Sequence, residues 1–235
     1  MQKKISVAIL TGGESAELEI SLASAKVVAE NLNKDKYRVL TVNISTMPWS
    51  VFEQGKLIST IDLNDFSFLQ GTSNHFFDVV FMAIHGTPAE DGRVQGYFDL
   101  LKIPYTCSSS LASAITFDKD ICKKLLKDDV IKQAKSILLT TNNKNNVDIE
   151  SELVLPVFVK PNKNGSSYGA FKVSDRKDLY PAIKRAFEFD DEVLIEEFID
   201  GRELACGVIE KNGELIALPI TEIISENEFF DYEAK

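Results

Sequence analysis

The chain has 235 residues, 44 % of them hydrophobic, with 36 acidic against 26 basic side chains and a formal net charge of -10. That length admits one large domain or two to three small ones with a real core. The negative balance disfavours a nucleic-acid partner or an anionic membrane surface, because phosphates need a cationic face to displace their counterions.

At the start, "MQKKISVAIL" sets two lysines before an apolar run that ends at Thr11-Gly12-Gly13. The run is too short for a signal-peptide core, and no later segment is long and apolar enough to span a bilayer, which predicts a cytoplasmic protein. Residues 3–10 read as a buried strand and "TGGESAE" as a turn. "LEISLASAKVVAENL" reads as a helix, because its apolar positions recur at helical spacing. A second strand is predicted over 37–43, a third in "FFDVVFMAIHG", and a helix in "DGRVQGYFDLLKIPY" that Pro104 closes. Strands alternating with helices predict a parallel, Rossmann-like α/β first domain.

"TCSSSLASAITFDKDICKKLLKDDV" reads as two helices and "TTNNKNNVDIES" as a polar surface loop. A strand over 157–160, a glycine-serine loop, a strand over 170–173, a helix over 176–189 and a strand over 193–199 follow. The closing hairpin is predicted to turn at Lys211-Asn212-Gly213, since Asn-Gly favours the positive φ angles of a tight hairpin. Three cysteines, Cys107, Cys122 and Cys206, form no CxxC pair, and with only His75 and His85 beside them a zinc cluster lacks ligands. They read as reduced, mostly buried thiols.

Four stretches carry chemistry. The first strand-glycine-helix unit lacks GxGxxG, and Glu14, Glu17 and Glu19 would repel approaching phosphates, which speaks against a nicotinamide dehydrogenase. These carboxylates either complement the helix dipole, or one of them holds an ammonium or orients a hydroxyl. His85-Gly86, before Glu90-Asp91-Gly92, follows a strand at the edge where open α/β sheets place ligands, although an ordinary loop histidine gives the same pattern. "VFVKPNKNGSSYG" is not a P-loop. Its glycines expose backbone N–H groups, Ser166 and Ser167 add donors, and Lys160 and Lys163 add positive charge, which suits the β- and γ-phosphates of ATP; a plain glycine-rich hairpin is the alternative. In "EVLIEEFIDGRE", Glu196, Glu197 and Glu203 can accept hydrogen bonds from an exocyclic amine or ribose hydroxyls, or form a solvated strand edge.

Taken in order, "GGESAELEIS", "IHGTPAEDGRVQGYFDLLKIPYTCSS", "FDKDICKKLL", "VFVKPNKNGSSYG", "EVLIEEFIDGRE" and "FFDYEAK" resemble the bacterial D-alanine:D-alanine ligase family of the ATP-grasp superfamily, from Ile5 to the last residue. The resemblance implies an N-terminal substrate domain over 1–107, a central lid domain over 108–196 and the start of a C-terminal ATP-grasp domain over 197–235. It implies that Glu17 positions the first D-alanine and shares a hydrogen-bonded set with Ser166, and that His85 lies near the same substrate. Lys119, Lys160 and Ser167 would contact or cover the ATP phosphates. Glu196 with the backbone of Glu197, Phe198 and Ile199 would hold adenine, Glu203 the ribose, and Lys235 would also belong to the ATP site.

The implied reaction consumes ATP and two D-alanine molecules for peptidoglycan synthesis through an acyl phosphate, in a cytoplasmic homodimer with no nucleic-acid or membrane partner. The family's two magnesium ions have their ligands past residue 235, so no metal ligand is expected in the chain as it stands, and poor activity is expected of it alone. Departures from the family pattern are Glu14, Pro88 and the acidic Glu197. Rival readings are another ATP-grasp carboxylate-amine or depsipeptide ligase, such as one making D-alanyl-D-lactate, and an inactive nucleotide-binding module.

Overall fold

The computed structural model describes residues 3–15, 17–126, 131–143 and 147–224. The chain forms two compact units, Met1–Cys122 and Lys123–Lys235. In the first, β1 (Ile5–Thr11) leads into α1 (Leu18–Asn31) and β2 (Tyr37–Asn43). Next come β3 (Ser50–Glu53), β4 (Lys56–Asp62), β5 (Ser67–Gln70), β6 (Ser73–His75) and β7 (Val79–Met82), then α2 (Arg93–Leu101), α3 (Ser110–Phe117) and the start of α4 (Lys119–Leu125), whose residues from Lys123 on belong to the second unit.

One seven-stranded sheet runs in the order β6-β5-β4-β3-β2-β1-β7. β1 pairs in parallel with β2, Ile5 opposite Tyr37, and with β7, Val7 opposite Val79. The expected parallel sheet is therefore present, but β3 to β6 extend it as an antiparallel meander over residues in which the sequence reading identifies no strand. The β3–β4 turn explains the omission. Gln54 and Gly55 adopt φ values of 50° and 77°, a geometry that Asn-Gly usually signals and that Gln-Gly does not.

β1 reads as continuously apolar because both of its faces are covered. Val7 and Ile9 pack with Ala25 of α1, whereas Ala8 and Leu10 join the larger core that contains Val94 and Phe98 of α2. That core has an aromatic centre at Phe66, whose ring lies 4.8 Å from Phe98 and 5.2 Å from Phe77.

The second unit contains β8 (Ser136–Thr140), α5 (Ile149–Glu152), β9 (Val157–Pro161), β10 (Phe171–Val173), α6 (Arg176–Ala186) and β11 (Glu192–Glu197). The strands form an antiparallel sheet in the order β10-β9-β11-β8. Alternate residues of β9 and β11, Val157, Val159, Val193 and Ile195, pack with Leu179, Ala182, Ile183 and Ala186 of α6. Period-2 alternation sends Phe158, Lys160 and Glu196 to the other face, away from that core. Part of the predicted loop is structured: Asp148 caps α5 by accepting from Ser151 N at 3.3 Å, and Ile149 enters the core at 3 % exposure. An apolar residue one position past a good cap has somewhere to go, which the surrounding asparagines obscure.

β12 (Glu203–Ala205) pairs with β15 (Thr221–Ile223), and β13 (Val208–Lys211) with β14 (Glu214–Ala217). The second hairpin turns at Asn212 and Gly213, with φ of 56° and 81°, as predicted. The cysteines are free, as expected, but their burial is not: Cys107 and Cys206 are exposed and only Cys122 is half-buried. Both exposed thiols lie between elements, Cys107 at a φ of 96°.

Candidate active site

In the first unit, the turn after β1 and the loop after β7 approach each other. Ser21 of α1 ties them: Gly12 N donates to its hydroxyl at 2.9 Å, and the hydroxyl donates to the Ala83 carbonyl at 2.8 Å. Ser15 Oγ donates to the His85 carbonyl at 2.7 Å and accepts from Glu17 N at 3.2 Å. Ser24 Oγ lies 3.1 Å from His85 Nε2. Gly86, at φ +72°, leaves room for this approach, because a Cβ there would sit 2.8 Å from Ser15 Cβ and 3.2 Å from Glu17 Oε2.

Glu17 is 4 % exposed, so its carboxylate is no solvated helix-dipole partner. Glu90 joins it. Burial pushes the Glu90 carboxyl up and the Glu17 charge pushes it further, against the pull of the Gly86 N–H and of His85. Two carboxyls and an imidazole therefore share one patch of the first unit, a set that suits the ammonium of a small substrate. Glu17 and His85 are brought together as the sequence suggests. Ser15, Ser24 and Glu90 enter only through the fold.

In the second unit, the loop between β9 and β10 holds Ser166, Ser167 and Gly169 at φ of 47°, 59° and 71°. Tyr168 N donates to the Gly165 carbonyl and Ala170 N to the Ser167 carbonyl, each at 3.1 Å, so the loop is built of two successive tight turns. The two lysines of this stretch separate. Lys163 is bound locally, its N–H donating to Asp190 Oδ2 at 2.6 Å and its ammonium 2.7 Å from Glu192 Oε2. Lys160 instead pairs with Glu196 Oε2 on the sheet face opposite the core.

Glu196 has a second cation that the sequence reading does not single out. Lys123 of α4 approaches Glu196 Oε1 at 2.6 Å and donates to the Ala134 carbonyl at 2.7 Å. Burial raises the Glu196 pKa, but the Lys160 charge and the Lys123 hydrogen bond outweigh it, so the carboxyl ends below its ordinary value. The signal is faintly present in the sequence: Lys123 stands four residues after Lys119, on the same helical face.

Beyond Glu196, Glu197 N donates to the Lys135 carbonyl at 2.9 Å and Phe198 N to the Pro156 carbonyl at 3.1 Å. These backbone donors are already used, which narrows the expected adenine edge to carbonyls and to Ile199. The Phe198 ring lies 5.8 Å from Phe158 and carries Lys172 Nζ 4.1 Å above it. Ile199 and Glu203 are exposed. Lys119 opens α4 and is half-buried in the first unit, where Glu17 also lies, whereas Ser166 and Ser167 belong to the second. Lys235 and the rest of "FFDYEAK" lie outside the described residues.

A parallel-sheet unit with a carboxylate-imidazole cluster, and an antiparallel unit in which a glycine-serine loop follows the strand that bears a lysine-carboxylate pair, define an ATP-dependent ligase of the ATP-grasp kind. Comparison with known proteins bears this out. Residues 6–108 match the family model described as D-ala D-ala ligase N-terminus, and residues 125–235 the one described as D-ala D-ala ligase C-terminus. A D-alanine:D-alanine ligase from Bacteroides fragilis is 42 % identical over 233 residues, which is 99 % of this chain and 72 % of that protein. Among solved structures, D-alanyl-alanine synthetase A from Vibrio cholerae matches with a TM-score of 0.85 at 32 % identity, covering 99 % of this chain and 71 % of that one. The VanG D-Ala:D-Ser ligase from Enterococcus faecalis matches with a TM-score of 0.84 at 33 % identity, covering 99 % and 74 %. The chain belongs to the D-alanine:D-alanine ligase family.

Proposed function

We propose that this protein joins two D-alanine molecules into D-alanyl-D-alanine with hydrolysis of ATP to ADP and phosphate, supplying a dipeptide for peptidoglycan. The observation that carries the reading is the convergence of Lys160 and Lys123 on the half-buried Glu196, on the sheet face that runs out from the glycine-serine loop. The carboxylate of the first D-alanine attacks the γ-phosphorus and ADP leaves. The amine of the second then attacks the acyl carbon and expels inorganic phosphate, losing a proton as the peptide bond forms.

Both steps develop negative charge on phosphoryl or carbonyl oxygens, and positioned cations lower that barrier. Lys119 and Lys160 take this role toward the phosphates, while Ser166, Ser167 and the backbone N–H groups of their loop cover them. That cover matters because an acyl phosphate exposed to water hydrolyses. Glu196, the backbone carbonyls of Glu197 and Phe198 together with the backbone of Ile199, and Glu203 hold the nucleoside. Glu17 and His85, supported by Ser24 and Ser15, hold the first D-alanine, Glu17 through its ammonium.

Magnesium is the usual counter-ion for such a transfer, but among the described residues no three His, Cys, Asp or Glu side chains converge to hold one, and no metal ligand is assigned. Among those residues no helix is long and apolar enough to cross a membrane. A cytoplasmic homodimer is part of the same proposal.

Likeness to a D-Ala:D-Ser ligase favours a second reading in which the second substrate differs. Phosphate release measured with D-alanine alone, with D-alanine plus D-serine or D-lactate, and with L-alanine separates the two. Release with D-alanine alone is expected. Equal release with L-alanine refutes both readings, and release only when D-serine or D-lactate is added selects the second.

A further inference from the structure

We infer that Lys123 is a positioning residue of the nucleotide site: it keeps Glu196 ionised and aimed at the amine of the base when Lys160 is drawn to the phosphates. The inference rests on the reading of Glu196 as the adenine acceptor. Its basis is the way the two oxygens of Glu196 are divided. Lys160 takes Oε2 and Lys123 takes Oε1, so each oxygen has its own ammonium.

The two cations are not held alike. Lys123 has a second anchor, the Ala134 carbonyl at 2.7 Å, and its own carbonyl accepts from Gln133 Nε2 at 3.1 Å. Lys160 pairs with Glu196 from the strand that leads straight into the glycine-serine loop. A phosphate group offers it a stronger partner than a shared carboxylate does. When Lys160 turns away, Oε2 is released to accept from an exocyclic amine, and Glu196 remains largely desolvated at 13 % side-chain exposure. Without another cation, burial would favour the protonated acid, which donates and cannot accept at that oxygen. Lys123 prevents this.

Among the described residues two charged groups act on Glu196. α4 supplies Lys123 and β9 supplies Lys160, while the register partners Ser136 on β8 and Phe158 on β9 carry no charge. The arrangement therefore makes base selectivity depend on Lys123. Adenine presents an amine where guanine presents a carbonyl, which an ionised Glu196 repels and a protonated one accepts.

The test is calorimetric binding of ATP and of GTP to the full chain, from about pH 8 to about pH 5.5, for the native protein and for Lys123→Met, Lys123→Arg and Glu196→Gln. Lys123→Met is expected to bind ATP about tenfold more weakly near neutrality and to lose most of its preference for ATP over GTP. Its deficit relative to the native protein should widen by about threefold or more as the pH falls, a comparison that cancels the titration of the nucleotide's own phosphates. Lys123→Arg should restore both properties, which a loss of packing would not predict. Should Lys123→Met fail to fold, Lys123→Gln, still able to donate to the Ala134 carbonyl, serves the same comparison. If Glu196→Gln abolishes the preference for ATP and the Lys123 variants keep the native preference and pH profile, the inference is overturned and the reading of the adenine site stands. If Glu196→Gln itself leaves the preference intact, that reading fails and the inference with it.

Discussion

Lys160 and Lys163 look equivalent in "VKPNK", yet their surroundings predict opposite behaviour on substitution by alanine. The Lys160 side chain is 27 % exposed and pairs with a Glu196 that is 13 % exposed. Removing it deletes one charge-assisted contact to phosphate, about 1.5–3 kcal/mol, or about 10–100-fold in ATP affinity. The fold should tolerate the change, because Lys123 still neutralises Glu196. Lys163 is 38 % exposed and occupied by Glu192 and the more distant Asp191. Its removal costs about 0.2–1 kcal/mol of stability after solvent screening and should leave ATP affinity within about threefold of native. Calorimetric titration with ATP, paired with thermal melts of each variant, measures both quantities. Equal losses of ATP affinity in the two variants, or none in Lys160→Ala, would refute the assignment of the phosphate contact to Lys160.

Three further outcomes follow from the packing and the charges. Phe66→Ala removes a ring at 0 % exposure that contacts Trp49, Phe77, Tyr97 and Phe98, and should cost about 3–5 kcal/mol, read as a lower denaturant midpoint at unchanged slope. Gly92→Ala combines a φ of +85° with a Cβ driven into the Ser110 carbonyl, whereas Gly55→Ala has a φ of +77° and open space; the first should cost about 1 kcal/mol or more beyond the second in urea unfolding. The folded-state pKa of Glu196 lies below its ordinary 4.5, so its ion pairs stabilise the fold fully above that pH and the contribution is lost as the pH falls through the lowered value. Thermal melts across the acid range should show this loss in the native protein and a smaller one in Glu196→Gln.

Much of the site was legible in the sequence. Strands and helices of strong periodicity appear where predicted, as β2 does at Tyr37–Asn43, because local pattern and tertiary burial agree there. The glycine-serine loop, His85 at a strand end and the carboxylates of "EVLIEEF" were readable because turn chemistry and charged residues beside buried runs are local signals.

The sequence by itself determined the alternation of apolar runs, the loop's unusual composition and the order of motifs that carries the family resemblance. Only the tertiary structure decided which charges meet. Whether Lys160 or Lys163 faces Glu196 depends on the pleat of β9, which sends Lys160 across to β11 and leaves Lys163 in the loop beyond the strand. The role of Lys123 depends on a contact across 73 positions of chain, and the four-stranded meander on pairings between strands too short to announce themselves. Pairings of this kind are set by which surfaces the whole fold buries together, and no local window of sequence contains that information.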